Sequence, residues 1–183
     1  MASIRYAIPD SISGKEIQLF RNQLSMTQAE FSAFCGVSRK TIERWEGSSQ
    51  EITGPIVTLI RILREHPELP ERFTIPEKKW PLRLYYMFHE TLCTLIDVNE
   101  PKRQVRIRNY TEYPQFRAFG VKEYPSFQEY EAFLESRCFP REGDKMKLRL
   151  RELNLPFYDP LLIIEKTAGR MTEDSFWIKI DRS

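Results

Sequence analysis

The stretch MTQAEFSAFCGVSRKTIERWEGS, Met26–Ser48, decides the fold of the N-terminal part of the chain. Its pattern predicts two short helices separated by a glycine. Thr27 with Glu30 three residues later forms a capping box, which predicts the start of the first of these helices. Gly36 ends that helix, because glycine adopts the left-handed conformation at a helix C-terminus with little strain. Ser38 then predicts the N-cap of the second helix.

Apolar residues at helical spacing extend this pattern on both sides of the stretch. Upstream, Ile17, Phe20 and Leu24 lie on one face of a predicted helix. Downstream, Gly54 and Pro55 open another helix, since proline is favoured at the first helical position. The apolar stripe of that last helix consists of Ile56, Leu59, Ile60 and Leu63. Four such helices predict a helix-turn-helix architecture.

The helix after Ser38 has an unusual N-terminus. Arg39 and Lys40 are cations placed where they oppose the helix macrodipole. On a helical wheel Ile42 and Trp45 mark the buried side, and the open side contains Arg39, Lys40, Glu43 and Arg44. Phosphates and guanine edges would more than offset the unfavourable dipole interaction. We therefore interpret the open side as a DNA-binding surface; the alternative is a solvated helix face with ordinary charges.

Direct base contacts can be assigned by side-chain chemistry. Arg39 or Arg44 would bond guanine O6 and N7, and Thr41 would touch a thymine methyl group. Glu43 has two interpretations. It would accept a hydrogen bond from a cytosine amino group, or it would pair with Arg39 at i, i+4.

Phosphate contacts are assigned to the remaining polar residues. Lys40 is better suited to a phosphate than to a base edge. Gln28, at the start of the preceding helix, would bond a phosphate together with the amides of that helix N-terminus. The candidate DNA-binding residues are therefore Gln28, Ser38, Arg39, Lys40, Thr41, Glu43 and Arg44.

Residues 14–69 resemble the XRE/Cro-type helix-turn-helix family, and within it they are most similar to HigA- and MqsA-type antitoxin regulators. The stretches that carry the resemblance are the one quoted above and TGPIVTLIRILREHPEL. It depends on the spacing of Gln28, Ser32, Gly36, Val37, Ser38, Ile42, Trp45 and Glu46. Ser32 departs from the family, which usually has alanine there. The resemblance covers about a third of the chain and implies a DNA-binding regulator.

The chain divides into three parts by composition. Met1 to Ser13 has the pattern of a loose leader, and residues 1–69 as a whole predict the helix-turn-helix domain. Prolines at Pro70, Pro76 and Pro81 predict an extended linker over residues 70–81, because proline disfavours helix for itself and its predecessor. Residues 82–183 predict a second domain. Residues 76–126 hold nine basic and six acidic residues and are the only strongly basic segment of a chain whose net charge is +2.

The second domain begins with a predicted β-hairpin. The runs LYYMFHETLCTLIDVN and RQVRIRNYT are joined by a turn signal at Asn99–Lys102. In the second run Gln104, Arg106 and Arg108 alternate with Val105, Ile107 and Asn109, which makes one face cationic. This face is interpreted as a secondary phosphate contact, as a grip on an acidic partner, or as an exposed sheet edge protected by charge.

Helices and a closing strand follow the hairpin. Ser126 with Glu129 predicts one helix, REGDKMKLRLREL a second, and Asp159 before Pro160 a third. SFWIKI predicts the last strand. The predicted fold class is α+β: an N-terminal all-α helix-turn-helix domain followed by a small α+β domain of hairpin, helices and closing strand.

Residues 135–180 are similar to a segment near the N-terminus of HipA-like kinases. The shared residues are Arg137, Pro140, Arg141, Tyr158, Asp159, Pro160, Gly169, Asp174 and Trp177. The sequence has no glycine-rich phosphate loop and no H-R-D-type catalytic loop. The resemblance therefore implies a partner-binding or accessory domain and not a kinase. Helix punctuation explains Asp159, Pro160 and Gly169 equally well.

Catalytic, metal and membrane functions are not expected. His89 is the only histidine of the second domain, no G-x-S-x-G or H-E-x-x-H motif occurs, and the thiols of Cys35, Cys93 and Cys138 are scattered. We expect no enzyme activity, no cofactor and no zinc site. With neither a signal peptide nor an apolar run of about 20 residues, we expect a cytoplasmic protein that makes no membrane contact.

These observations predict an autoregulating, antitoxin-like DNA-binding regulator. The expected partners are double-stranded DNA with a palindromic operator, a second copy of the chain, and a toxin or kinase-like protein. The alternatives are a stand-alone mobile-element repressor whose C-terminal domain dimerises or senses a ligand, and a helix-turn-helix fold used as a protein–protein interaction module.

Overall fold

A computed structural model describes residues 6–142 and 145–182 of the chain. The chain forms two units, Met1–Thr74 and Ile75–Ser183. Each unit has its own apolar core. The predicted fold class is confirmed, since helices dominate the first unit and an antiparallel sheet with helices forms the second. The boundary between the units falls inside the segment predicted as a linker.

The first unit is helical apart from one pair of very short strands. Its elements are β1 (Ser11–Ile12), α1 (Gly14–Gln23), α2 (Gln28–Cys35), α3 (Arg39–Glu46), β2 (Ile52–Thr53), α4 (Pro55–Glu65) and α5 (Leu69–Phe73). Strand β1 pairs with β2 in antiparallel register. The fully buried side chains at its centre are Ile17, Phe31, Ile42, Ile60 and Leu63.

The local signals of the first unit lie where the sequence predicts them. Thr27 and Glu30 form both hydrogen bonds of a capping box at the start of α2. Gly36 ends that helix with a φ of 67°, in the left-handed region. Pro55 occupies the first position of α4. These features are decided by neighbouring residues, so the sequence alone specifies them.

Two predictions for the first unit are wrong. The predicted leader contains β1, in which Ile12 is 6% exposed and belongs to the core; its residues 1–5 lie outside the described part of the chain. The predicted linker begins with α5 rather than with extended chain. Pro70 lies in the first turn of α5, where a missing backbone N–H leaves no intrahelical hydrogen bond unmade.

The second unit is a four-stranded antiparallel sheet with helices against one face. Its elements are β3 (Leu82–Phe88), β4 (Thr91–Asn99), β5 (Gln104–Asn109), a short 3₁₀ helix (Pro114–Phe116), α6 (Phe127–Ser136), α7 (Met146–Glu152), α8 (Pro160–Thr167) and β6 (Phe176–Arg182). The strand order is β5-β4-β3-β6. The β4–β5 hairpin and the closing strand are confirmed. Of the sequence predicted as the α7 helix, residues 143–144 lie outside the described residues.

One predicted strand is in fact two. The run LYYMFHETLCTLIDVN folds into β3 and β4, which pair with each other around His89 and Glu90. His89 has a φ of 48°, so it belongs to a tight turn and not to an alternating strand position. The run contains no glycine, proline or asparagine at this turn, and its apolar pattern continues across it. The local sequence therefore contains no signal for a turn at this position.

The two faces of the sheet differ in composition, because side chains alternate along each strand. One face presents Leu84, Tyr86, Ile96 and Ile178 to the apolar side chains of α6, α7 and α8. The other face contains Arg83, Tyr85 and Met87 of β3, Leu95 and Asp97 of β4, Arg106 and Arg108 of β5, and Trp177, Lys179 and Asp181 of β6. We call this second surface the open face.

Glycine at position 14 allows the start of α1 to lie against the end of α3. A Cβ atom at Gly14 would be 2.1 Å from the carbonyl oxygen of Trp45. We expect Gly14→Ala to lower the free energy of unfolding of the first unit by about 3 kcal/mol, since the main chains must separate. In Gly36→Ala the added Cβ atom meets no other atom within 4 Å. This variant should lower the free energy of unfolding by only about 1 kcal/mol, because alanine is strained in the left-handed conformation.

Urea unfolding followed by circular dichroism at 222 nm measures both losses. Gly36→Ala is the matched control, because it makes the same chemical change without a steric conflict. An equal loss of stability in the two variants would contradict the close approach of α1 and α3.

Candidate nucleic-acid interface

Helix α3 is set in place by its cap and by its apolar side. The Ser38 hydroxyl accepts a hydrogen bond from the Thr41 backbone N–H at 3.1 Å, and the two hydroxyl oxygens lie 2.9 Å apart. Ile42 is fully buried and Trp45 is partly buried against the core. The helix therefore turns its opposite side to solvent, and Thr41 has its hydroxyl engaged with the cap.

The exposed side of α3 contains three cations and one carboxylate. Arg39, Lys40 and Arg44 are all exposed. The Arg39 Nε donates to Glu43 at 2.9 Å, with the two side chains 65% and 44% exposed. This is the i, i+4 pair that was one of the two interpretations of Glu43. Such an exposed pair is worth only about 0.3–0.5 kcal/mol, so a stronger partner for Arg39 would readily replace it.

Gln28 lies at the first position of α2, and its side chain has a protein partner. Its amide Nε2 donates to the Glu46 carboxylate at 2.8 Å. The amide group has two N–H donors; Glu46 accepts from one, and within residues 6–142 and 145–182 no hydrogen bond is made by the other. The structure thus brings Gln28 to the end of α3, a contact that the sequence analysis did not predict.

An ion pair beneath this surface was also missed. Arg21 of α1 donates to both carboxylate oxygens of Glu46 at 2.6 and 3.1 Å, and to the Met26 carbonyl at 2.7 Å. The side chains of Arg21 and Glu46 are 10% and 4% exposed. A signal for this pair existed, because Arg21 lies four residues after Ile17, on the buried face of α1.

The pair has opposing effects on the ionisation of Glu46. Burial alone raises the pKa of its carboxyl group, but the hydrogen bonds from Arg21 and Gln28 outweigh burial, and the net pKa lies below the usual value. The pKa of Arg21 is raised, first by its hydrogen bond to Glu46. Both partners are therefore charged at neutral pH, and three helices are joined at one carboxylate.

The other cationic surface predicted from the sequence is on an edge strand, since β5 is the outermost strand at one side of the sheet. The guanidinium carbon of Arg106 lies 4.7 Å from the centroid of the Trp80 ring. That of Arg108 lies 5.5 Å from the Tyr110 ring. The predicted alternation along β5 thus places both arginines beside aromatic rings on the open face.

Several of the residues on which the predicted likeness to HipA-like kinases depends have structural contacts. Arg137 is 7% exposed and donates to the Gly169 and Phe176 carbonyls and to both oxygens of Asp174. Asp159 accepts a hydrogen bond from the Leu162 N–H as the N-cap of α8. These contacts fix the end of α6, the ends of α8 and the start of β6, so Arg137, Asp159, Gly169 and Asp174 have a sufficient explanation in the fold.

The thiols of Cys35 and Cys138 are shielded from solvent by burial. Burial raises the pKa of Cys35 to about 11 and that of Cys138 to about 12, so both thiols are protonated at neutral pH. In residues 6–142 and 145–182 no three histidine, cysteine, aspartate or glutamate side chains form a group suited to a metal ion. In the same ranges no helix is both long and apolar enough to span a bilayer.

Comparison with known proteins relates one segment of the chain to an antitoxin. Over 58 residues the chain is 34% identical to the protein named Antitoxin HigA-2 of Vibrio cholerae serotype O1. The matched segment is 32% of this chain and 56% of that relative, so the chain spans about half the length of the relative. No family model matches the chain. One segment of the chain is thus similar to an antitoxin, and the rest of the chain is not matched by that relative.

The carboxylate of Glu46 can be tested by substitution. We expect Glu46→Gln to lower the free energy of unfolding at pH 7 by about 3 kcal/mol, since Arg21 loses its charge partner in a largely buried site. The folded-state pKa of Glu46 is lowered from 4.5. Its contribution is therefore present above about pH 4.5 and is lost as the pH falls through the folded-state value.

Unfolding curves of the wild type and Glu46→Gln at pH 7 and pH 3 measure this effect. The difference between the two proteins should shrink at pH 3. Glu43→Gln is the matched control, because Glu43 is 44% exposed in its pair with Arg39, and it should change stability by less than about 0.5 kcal/mol. A difference for Glu46→Gln that is the same at both pH values would show that the charge of Glu46 is not what stabilises the fold.

Proposed function

We propose that the protein is a sequence-specific DNA-binding transcriptional regulator, an antitoxin-like component that represses its own operon. The observation that carries the proposal is the exposed side of α3, with Arg39, Lys40 and Arg44 beside a capped helix start. In helix-turn-helix proteins the N-terminal residues of the second helix contact base edges in the major groove. The proposed activity is binding and includes no catalytic step.

The charge pattern of α3 supports base readout by arginine. Cations at a helix N-terminus are unfavourable by themselves, and Arg39 is held by only one exposed carboxylate, Glu43. On DNA we propose that Arg39 and Arg44 exchange solvent or Glu43 for guanine O6 and N7. Lys40 would meet a phosphate, and Thr41 would place its methyl group against thymine.

The ion pair under α3 supports the proposal in a second way. Base readout requires that the side chains of α3 stand in a fixed position relative to the phosphates on either side. Glu46 ties α3 to α1 through Arg21 and to the N-terminus of α2 through Gln28. We propose that the second N–H of Gln28 and the first amides of α2 bond one phosphate, which sets the register of α3 in the groove.

The partners follow from the proposed role. The protein would bind a palindromic operator as a homodimer, with half-sites about 34 Å apart. The dimer contact would come from α4 or from the second unit; Ile62, an apolar residue of α4 that is 43% exposed, supports the first choice. The relative named as an antitoxin supports a toxin as a further partner. The second unit would bind that partner or a kinase-like protein.

A mobility-shift experiment tests the proposal as a whole. Purified protein is mixed with its own upstream DNA and with scrambled DNA of equal length, at two salt concentrations. We expect selective binding of the upstream DNA that persists at the higher salt concentration. Equal and salt-sensitive binding to both DNAs would mean phosphate contacts alone and would overturn the claim of sequence specificity.

Single substitutions separate base contacts from phosphate contacts. Arg39→Ala and Arg44→Ala should each weaken operator binding by about 1–3 kcal/mol and relax the preference for one base. Lys40→Gln should weaken binding to all sequences alike and reduce the salt slope by about one. The matched control is Arg61→Ala, which removes an exposed arginine of α4 paired with Glu65. Unchanged operator binding in Arg39→Ala with Arg44→Ala would favour a protein-binding role for this unit.

A further inference from the structure

The open face of the sheet contains two rows of side chains that cross the strands. In the first row Asp181, Arg83, Asp97 and Arg106 are neighbours across β6, β3, β4 and β5. In the second row Lys179, Tyr85, Leu95 and Arg108 are neighbours in the same order. Beyond the second row, Trp177 of β6 lies opposite Met87 of β3. The rows differ in how their charges are satisfied.

The first row is structural. Arg83 is 3% exposed, donates to both oxygens of Asp97 at 2.6 and 2.7 Å, and also donates to the Pro76 and Glu77 carbonyls. The segment before β3 is thereby fastened across this end of the open face. A second fastening is Lys78, whose ammonium lies 3.0 Å from the Asp181 carboxylate. Most of the charges in the first row are therefore paired within the second unit.

Three other cations, on the open face or beside it, lie over aromatic rings. Lys179 lies 5.5 Å from the centroid of the Tyr85 ring. Arg170 lies 5.1 Å from the Trp177 ring, and Arg106 lies 4.7 Å from the Trp80 ring. Among the described residues none of these three cations has a carboxylate within ion-pair distance. Three ring-and-cation pairs are thus distributed over one surface.

Two of these rings, those of Trp177 and Trp80, have defined surroundings in the fold. The Trp177 indole N–H donates to the His89 carbonyl at 2.6 Å, which fixes the ring beside the β3–β4 turn. Next to Trp80 is a groove of about 220 Å³, whose lining includes Leu95, Lys79 and Arg106 as well as the acidic residues Glu77 and Asp97. The carboxylate of Asp97 is bonded by Arg83. An aromatic ring, a cation and an apolar side chain are therefore available in one place.

We propose that the open face binds single-stranded nucleic acid, with bases stacked on Tyr85, Trp177 and Trp80 and phosphates held by Lys179, Arg170 and Arg106. A single strand repeats one flat base and one phosphate per nucleotide, and the face repeats one flat ring and one cation. Base stacking on an aromatic side chain is stronger than an exposed cation–ring contact. When bases stack on the rings, the cations can therefore exchange their contacts with the rings for contacts with phosphates.

An acidic protein segment is the competing occupant. It would satisfy the cations but would supply no flat group for each ring. The pairing of every one of these three cations with a ring consequently favours the nucleotide. The proposal depends on residues of the second unit alone and is independent of α3.

Fluorescence anisotropy of the full-length protein with labelled oligothymidylate and oligouridylate of about twelve nucleotides tests the proposal. We expect binding that weakens with added salt and quenches tryptophan fluorescence, with the two probes separating DNA from RNA preference. Trp177→Ala and Tyr85→Ala should each weaken binding about tenfold or more. Trp177→Phe loses the indole hydrogen bond but keeps a ring, so it should retain binding within about threefold.

Two controls separate this surface from other effects. Tyr124→Ala removes a tyrosine that is 90% exposed and lies outside the open face, and it should leave binding unchanged. Arg39→Ala with Arg44→Ala should leave oligonucleotide binding unchanged while operator binding is lost, so failure of one proposal is distinguishable from failure of the other. Circular dichroism verifies that each variant is folded.

Three results would overturn the proposal. The first is no binding of either oligonucleotide at low salt. The second is unchanged affinity in folded Trp177→Ala and Tyr85→Ala. The third is that poly-L-glutamate, with as many negative charges as the oligonucleotides, binds the protein as tightly as they do. The cations would then bind without help from the rings, and the face would be a site for an acidic protein segment.

Discussion

Buried arginines that bond a carboxylate and a main-chain carbonyl at once stabilise each of the two units from within. Arg21, Arg83 and Arg137 each donate to both oxygens of one acidic side chain and to at least one main-chain carbonyl five or more residues away. They are also the buried charged residues of the described chain. Since guanidinium has five N–H groups in a fixed plane, one side chain can satisfy a carboxylate and a chain crossing together. Lysine carries its three donors on one nitrogen, so it cannot present two parallel N–H groups to a carboxylate while it bonds a carbonyl.

These ion pairs explain how units with small apolar cores hold their exposed side chains in defined positions. The first unit has only short helices, and helices of eight residues are not stable by themselves in water. Glu46 fixes the end of α3 to α1 and to the start of α2, so the position of the exposed residues of α3 is determined by a polar contact as well as by Ile42 and Phe31. In the second unit Arg83 fastens the segment before β3 in the same manner.

The sequence predicts features that neighbouring residues decide and misses those that distant residues decide. The caps at Thr27 and Ser38 and the left-handed Gly36 are local, and the structure has all three. The β1–β2 pairing joins residues some forty positions apart, and no local pattern encodes it. The turn at His89 has none of the usual turn residues. In the candidate site, the exposure of Arg39, Lys40 and Arg44 could be derived from helical periodicity. The partner of Gln28 could not, because it depends on how α2 and α3 cross.

The small net charge of the chain also constrains the proposed binding. With a net charge of +2 the protein as a whole exerts little long-range attraction on nucleic acid, and at physiological salt charges more than about 8 Å apart are largely screened. Only cations that lie together and close to phosphate then contribute. On the exposed side of α3 three cations stand beside one carboxylate, which pairs with Arg39, and on the open face three cations are matched with rings and not with acids. Sequence-independent affinity for duplex DNA should therefore be modest, so the proposed operator binding must draw on base contacts by Arg39 and Arg44 more than on bulk charge.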